Sequence, residues 1–285
     1  MLPMLQDNSQ RFICHHQHWR GEIVRLGESY QTIMRQHGYP QPIQHVLGEA
    51  LLSATLMASA LKFAGQVTLQ FQSEGPLQLL VAKCDHDLNI RGLAQWHMPA
   101  TSSELADALL QGTLVMTLEQ HKQAPYQSIV AIEQDSISSA LERYFTQSEQ
   151  VPTLFRLAAD DQHAVGVMLQ LLPEALRPPE QNDAWIACQQ QMATLQAEPL
   201  LSWNTPDLIN FLQQDQDVRL FDWRPVKFYC PCSIQRMQAA LVTMGQQEVM
   251  QILDEKQVVD VTCEYCSHHY AFSREEVLEI FSASP

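Results

Sequence analysis

Positive charge is scarce in this sequence. Seventeen Lys and Arg stand against 32 Asp and Glu, a formal net charge of −15. Such a surface repels phosphate backbones, which argues against general nucleic-acid binding. No apolar run approaches the roughly 18 residues of a membrane span. The opening MLPMLQDNSQRF has neither the basic start nor the long apolar centre of a secretion signal. The expected location is therefore the cytoplasm, with no membrane partner. Neither G-x-x-x-x-G-K-[ST] nor G-x-G-x-x-G occurs, so nucleotide use has no support. No nucleophile–base constellation is evident, and the chain does not read as an enzyme. Charged residues make up only 17% and apolar ones 46%, enough for a core and unlike a disordered composition.

What the chain does contain is patterned apolar sequence. The first residues are undecided until RGEIVRL, which reads as a strand. ESYQTIMRQHG reads as a helix with Tyr30, Ile33, Met34 and His37 on one face and Gly38 as its stop. After the rigid YPQP loop, apolar residues recur three and four apart from Ile43 to Leu61, which predicts a helix over 42–62. Leu52 and Leu56 on its other face mark it as central and buried. The period then switches to two. QVTLQFQ puts Val67, Leu69 and Phe71 on one face, and LQLLVAKC, LNIRGLAQW, TLVMTLEQ, YQSIVAIE, TLFRLAA and AVGVMLQLL follow as strands. SSELADALLQG and SISSALERYFTQSEQ are helices between them. Many strands with few helices predict an α+β fold, a mainly antiparallel sheet with packed helices, over residues 1–179.

RPPEQND at 177–183 is the expected boundary. Residues 180–229 then read as a helical linker of marginal stability. Its stripes are Trp185, Cys188, Met192 and Leu195, then Leu208, Phe211 and Leu212. Short, glutamine-rich helices of this kind hold only when docked. Thr205 is the expected cap of the second, with Pro206 at its first position. Residues 230–285 read as a small C-terminal zinc-binding module. CPC leads into the helix SIQRMQAALVTMG, QEVMQILDE is a helix, VVDVT a strand running into CEYC, and HHYAF leaves it extended. SREEVLEIF is a helix with Ser273 and Glu276 spaced as a capping box.

That module holds four of the seven cysteines in two close pairs, Cys230 with Cys232 and Cys263 with Cys266. Cytosolic thiols stay reduced, so clustered ones suggest metal or redox chemistry before structural disulfides. Four thiolates so grouped predict a tetrahedral zinc site, one ion per chain. C-x-x-C is the usual half-site; C-x-C is rarer, and the gap between the pairs exceeds the ordinary finger range. Size agrees, because a module this short buries little core and needs a metal or disulfides to fold. Structural zinc supplies on the order of 10–16 kcal/mol of apparent binding free energy in small peptides. The spacing also permits a second state. Tetrahedral thiolates sit about 3.8 Å apart, and each local pair needs to close by under about 2 Å to become a disulfide. Zinc thus reads as a permanent staple or as a removable one. A thioredoxin-like enzyme is the rival, but it expects its C-x-x-C at a helix N-terminus inside a βαβ pattern.

Other candidates carry less. Cys14, His15, His16 and His18 form CHHQH, a conceivable second metal site whose plainer reading is a polar surface segment. His268 and His269 abut Cys266 as alternative ligands. Arg236 either favours the thiolates or is an ordinary exposed helix arginine. Cys84 and Cys188 read as small buried hydrophobes.

CPCSIQR and CEYCSHHYAF resemble the C-x-C-S-x-x-R and C-x-x-C-x-x-x-Y-x-F motifs of the redox-regulated 33-kDa heat-shock chaperones, the heat-shock protein 33 family. RGEIVRL, YPQP, the alanine-rich helix ending LKF, the turn EGP after VTLQFQ, and QSEQVP resemble its N-terminal core, so the resemblance covers nearly the whole chain. One departure is AVGVMLQLL, with a single glycine where the family has a glycine-rich stretch. The resemblance implies an ATP-independent holdase that protects unfolding proteins from aggregation under oxidative and heat stress. It implies a reduced, zinc-bound form that is inactive, and disulfides Cys230–Cys232 and Cys263–Cys266 that release zinc and unfold module and linker. It further implies unfolded or partly folded clients, a homodimer when oxidised, and hand-over to ATP-dependent foldases. The reading from another class is a zinc-ribbon module recruiting a protein or RNA partner without chaperone activity; the acidic charge disfavours RNA.

Overall fold

Apolar residues at every second position build two antiparallel sheets around one helix. The computed structural model describes residues 6–15, 18–61, 64–97, 102–120, 123–132, 136–173, 182–212 and 218–283, so most of the expected boundary at 177–183 lies outside the described residues. The chain divides into two units, Met1–Phe228 and Tyr229–Pro285.

The larger unit runs β1 (Asn8–Cys14), β2 (Trp19–Leu26), α1 (Glu28–Arg35), α2 (Gln41–Ala60), β3 (Gly65–Gln72), β4 (Leu77–Asp85), β5 (Asn89–Trp96), α3 (Ser102–Gln111), β6 (Thr113–Gln120), β7 (Tyr126–Val130), α4 (Ile137–Gln147), β8 (Thr153–Ala159) and β9 (Ala164–Leu171). It continues through α5 (Asp183–Thr194), α6 (Ala197–Ser202), α7 (Thr205–Leu212), β10 (Val218–Leu220), β11 (Arg224–Pro225) and β12 (Lys227–Phe228). The first sheet has the order β10-β1-β2-β9-β8, with β11 also on β1; the second has the order β12-β5-β4-β3-β6-β7. Every pairing is antiparallel except β12 on β5. β1 lies in the stretch that the sequence leaves undecided. His37 is exposed in the turn after α1, not on its buried face, because the helix stops at Arg35.

α2 is central, as its stripe predicts. From Val46 to Ser59 every residue except Glu49 is buried. The buried hydroxyls of Ser53, Thr55 and Ser59 donate back to the carbonyls of Glu49, Leu51 and Leu56, so none is left unpaired. Both sheets pack on this helix, and a glycine lets each come close. A Cβ at Gly166 in β9 would meet Leu56 and Leu52 at 3.2 and 3.3 Å, and one at Gly92 in β5 would meet Leu51 and Leu47 at 3.0 and 3.2 Å.

The first sheet is apolar on both faces. Along β9, Ala164 and Met168 join the cluster around α2, whereas Val165, Val167, Leu169 and Leu171 join a second cluster on the opposite face. β2 alternates likewise, with Val24 and Leu26 toward α2 and Trp19 and Ile23 away from it. The second cluster is completed by Trp185, Cys188, Met192, Leu195, Leu200, Leu208, Ile209 and Leu212 from α5–α7 and the loops between them. The helices expected to need docking are docked, and their apolar sides form the sheet's outer cover.

A Gly92→Ala substitution tests the packing of α2. The added Cβ meets the Val81 carbonyl at 2.9 Å and Leu51 at 3.0 Å, so destabilisation by about 1–3 kcal/mol is expected. It should appear as a lower urea midpoint at unchanged slope. An unchanged midpoint would show that α2 can retreat from the sheet.

Candidate metal centre and docked linker

The smaller unit comprises α8 (Ile234–Met244), α9 (Gln246–Lys256), β13 (Val258–Thr262), β14 (His269–Ser273) and α10 (Arg274–Ala283). Its core is Leu241, Val249, Leu253, Val259, Phe272 and Val277, few side chains for an independent fold. Local signals shape it as read. Ser233 caps α8 through the Arg236 N–H. Ser273 and Glu276 form the expected capping box, each accepting the other's backbone N–H.

The four cysteines come from two places. Cys230 and Cys232 lie in the extended segment before α8. Cys263 and Cys266 lie in the turn between β13 and β14, where the Cys266 and Ser267 N–H groups both donate to the Cys263 carbonyl. Ser267 takes a left-handed φ of 54° to close that turn. The Sγ atoms of Cys230 and Cys263 are 3.6 Å apart, those of Cys232 and Cys266 are 3.3 Å apart, and all four lie within 4.8 Å of one another. Tetrahedral zinc thiolates stand about 3.8 Å apart, so this donor set fits a four-coordinate thiophilic ion.

Burial and hydrogen bonds act oppositely on the sulfurs. Burial pushes the Cys230 and Cys266 thiols up, opposed by backbone N–H donors from Cys232 and His268 respectively. At Cys232 burial is outweighed by the Tyr270 hydroxyl and the neighbouring thiols, and its pKa is lowered. The Tyr270 hydroxyl donates to Cys232 Sγ at 3.3 Å. That contact was missed from sequence, although the tyrosine stands in the quoted motif at a fixed distance from Cys266.

The other candidates fall elsewhere. His269 pairs with Asp260 at 3.1 Å, and the His268 ring packs edge-on against Tyr270 at 4.6 Å. Arg236 is exposed. Cys14, Cys84 and Cys188 are buried. His16 lies outside the described residues, and Cys14, His15 and His18 form no metal-ligating group among the described ones. Asp85, His86 and Asp87 do cluster, but the Asp85 carboxylate is engaged by the N–H groups of Asp87 and Asn89 and by the Asn89 side chain, as a turn requires.

The sheet holds the linker by its helix ends as well as by apolar contact. Arg156 Nε donates to the Met192 carbonyl at 2.5 Å, Arg25 donates to the Trp203 carbonyl at 2.7 Å, and His163 Nε2 lies 3.2 Å from the Leu201 carbonyl. Carbonyls at helix C-termini lack i+4 partners; the Trp203 and Leu201 carbonyls are reached by these side chains, and Arg156 adds a second donor to a Met192 carbonyl that already accepts the Leu195 N–H. Two details differ from expectation. Asn204, not Thr205, caps α7, accepting the Asp207 N–H at 2.9 Å, which makes Thr205 the first helical residue and Pro206 the second. Phe211 is half-buried and packs on Trp203 at 5.2 Å, while Leu200 and Ile209, absent from the expected stripe, are buried.

Comparison with known proteins agrees with this architecture. The profile described as "Hsp33 protein" matches residues 7–273. A "33 kDa chaperonin" of Nitrosococcus oceani is 37% identical, over 97% of this chain and 95% of that protein. One from Ectopseudomonas mendocina is 36% identical, over 98% and 97% respectively. In structure, the chain is similar to the crystallised 33 kDa chaperonin (heat shock protein 33 homolog) of Thermotoga maritima, with a TM-score of 0.85 at 22% identity over 97% of this chain and 98% of that one. The chain belongs to the Hsp33 family.

Proposed function

We propose that this protein is a redox-switched, ATP-independent holdase that is off while reduced and metal-bound. The observation that carries the reading is the outer face of the first sheet. It is apolar, it is covered by α5–α7, and the covering segment precedes a four-thiol module with a small core of its own. The functional division is a core over 1–179, a linker over 180–229 and a switch over 230–285.

Cys230, Cys232, Cys263 and Cys266 would hold one zinc ion, which supplies the folding free energy that the module's core lacks. The Tyr270 hydroxyl and the neighbouring thiols favour the thiolate of Cys232, whereas burial opposes those of Cys230 and Cys266, which a bound cation would offset. A peroxide or hypohalous acid takes two electrons and two protons from each local pair, giving Cys230–Cys232 and Cys263–Cys266. Every donor is then consumed, and the module unfolds. The segment 218–228 pairs with β1 and β5 and leads directly into Cys230, so disorder in the module spreads back along the chain toward the linker. Undocking bares Phe12, Trp19, Ile23, Val165, Val167 and Leu169. Unfolded clients bind there, and two open copies associate through the same surface when oxidised. Clients pass afterwards to ATP-dependent foldases. No described helix is long and apolar enough to cross a membrane, and a switch whose resting form needs four reduced thiols suits the cytoplasm, where thiols stay reduced.

Three experiments test the reading. Metal analysis of the reduced chain should give one zinc, and a Cys263→Ser/Cys266→Ser variant should lose it; near-stoichiometric metal in that variant would overturn the ligand assignment. Hydrogen exchange should show protection lost across 230–272 on oxidation while β2, β9 and α2 keep theirs, and unchanged protection after zinc release contradicts the switch. The linker can be opened without oxidant. Leu208 is fully buried, so Leu208→Ser should weaken docking by about 2–5 kcal/mol, and Arg156→Ala should add to it by removing the sheet's hydrogen bond to the Met192 carbonyl. The reduced double variant should become protease-sensitive over 183–212 and suppress aggregation of an unrelated unfolding protein. An undocked linker without that activity means that docking is not what keeps the protein off, and zinc binding without activity in any state favours the zinc-ribbon alternative.

A further inference from the structure

Cations are scarce in this chain, yet four of its 17 Lys and Arg residues gather in one place. A cavity of about 460 Å³ opens on the α2 side of the first sheet, beside Ala60 and Met168, and Arg11, Arg20 and Arg224 line it. Register explains the gathering. Residues directly opposite on antiparallel strands carry their side chains on one face. Arg219 of β10 stands opposite Ile13, Ile13 opposite Arg20, and Arg20 opposite Gln170. One step along that face Arg11 stands opposite Glu22, and one step further Ser9 stands opposite Arg224. Neutral groups position three of these arginines. Gln170 Oε1 accepts from Arg20 Nε and Nη2 at 3.2 and 2.8 Å, the His86 carbonyl accepts from Arg224 at 2.5 Å, and Arg219 lies 5.0 Å over the ring of Phe221, which lines the cavity. Arg11 pairs with Glu22 at 3.3 Å. Glu22 and Asp222 are the carboxylates of the lining, so four guanidinium groups meet two carboxylates.

We propose that this cavity is an anion site for a short inorganic chain of two or three phosphoryl groups, and that the bound anion clamps the end of the linker onto the core. Arginine forks match phosphoryl oxygens and keep their charge at every working pH. The length of the ligand follows from the spacing. Neighbouring rows on one face stand about 7 Å apart along a strand, and the four arginines occupy three rows. A single orthophosphate is too small to engage all three, whereas a di- or triphosphate presents oxygens along that line. The clamp follows from where the cations originate. Arg11 and Arg20 belong to β1 and β2, whereas Arg219 and Arg224 belong to the segment that leads into Cys230. At that seam the Phe221 N–H donates to the Arg11 carbonyl at 3.0 Å and Gln10 Nε2 donates to the Phe221 carbonyl at 3.0 Å. A bridging anion adds charge-assisted bonds across the same seam. When the segment lifts, half of the cations leave with it, so the anion prefers the closed chain and stabilises it by mass action. The consequence for activity rests on the reading that linker release opens the client surface: the anion then slows that opening.

The test titrates the full-length, reduced, zinc-loaded chain with inorganic triphosphate by calorimetry, at a constant ionic strength of roughly 0.15 M. Saturable binding of one triphosphate per chain is expected, tighter than that of orthophosphate or sulfate. Losing one charge-assisted contact should weaken it about tenfold in Arg219→Gln and in Arg224→Gln, with Arg219→Lys recovering part of the loss. Arg35→Gln removes the same charge from the end of α1, outside the cavity, and should bind as the native chain does. Equal weakening in Arg35→Gln, equal affinity for sulfate, or unchanged affinity in both cavity variants overturns the site. With triphosphate bound, hydrogen exchange should slow over 218–225. Protease protection over 183–212 should then decay more slowly under hydrogen peroxide in the native chain and not in Arg219→Gln. Binding with unchanged exchange over 218–225 overturns the clamp. Absence of aggregation suppression in every form defeats the switch, and the calorimetry with its exchange measurement still decides the site.

Discussion

A sheet with apolar side chains on both faces has to be covered twice, and the two covers of the first sheet are unlike. α2 is a 20-residue helix packed between two sheets, buried along most of its length. The other cover is three helices of 12, 6 and 8 residues, too short to persist alone. The same strands therefore present one face closed by a single long helix and one whose closure depends on three short ones. β9 makes this plain: its residues are buried without exception, yet only Ala164 and Met168 belong to the cluster around α2.

The outer cover is fastened in two ways with different consequences. Trp185, Met192 and Leu208 supply apolar contact that is strong and indifferent to direction. Arg25, Arg156 and His163 supply directional hydrogen bonds to carbonyls at the ends of α5 and α6. His163 also pairs with Asp160 at 3.1 Å, tying the hairpin between β8 and β9 to the end of α6. Loss of apolar contact loosens the cover as a whole, whereas loss of one carbonyl bond frays a single helix.

Much of this was legible in the sequence, and the failures share a cause. Period-two strands such as Val67, Leu69 and Phe71, the stripe of α2, the capping box at Ser273 and the grouped cysteines are local patterns, and they stand where expected. β10, β11 and β12 are two or three residues long and exist only because β1 and β5 lie alongside; no local pattern of that length is informative. β1 alternates weakly because one of its buried positions is Ser9, which donates to Glu22 rather than packing as an apolar side chain. α6 carries Pro199 and only six residues, below what periodicity resolves. The Asn204 cap was lost to a neighbouring threonine with the same chemistry one position on. Both the Tyr270–Cys232 contact and the gathering of Arg11, Arg20 and Arg224 depend on distance in space, which a single sequence does not carry.

The order of strands in the first sheet also governs how the chain leaves the ribosome. Trp19 in β2 pairs with Leu171 in β9, about 150 positions later. At about 5–20 residues per second of synthesis, β2 waits roughly 10–30 s for its neighbour. α5–α7 emerge only after β9, so the sheet can assemble while its outer face has nothing yet to cover it. The chain order β9, then α5–α7, then β10 and β11 confines any uncovered stage to the interval in which the cover itself is still being made.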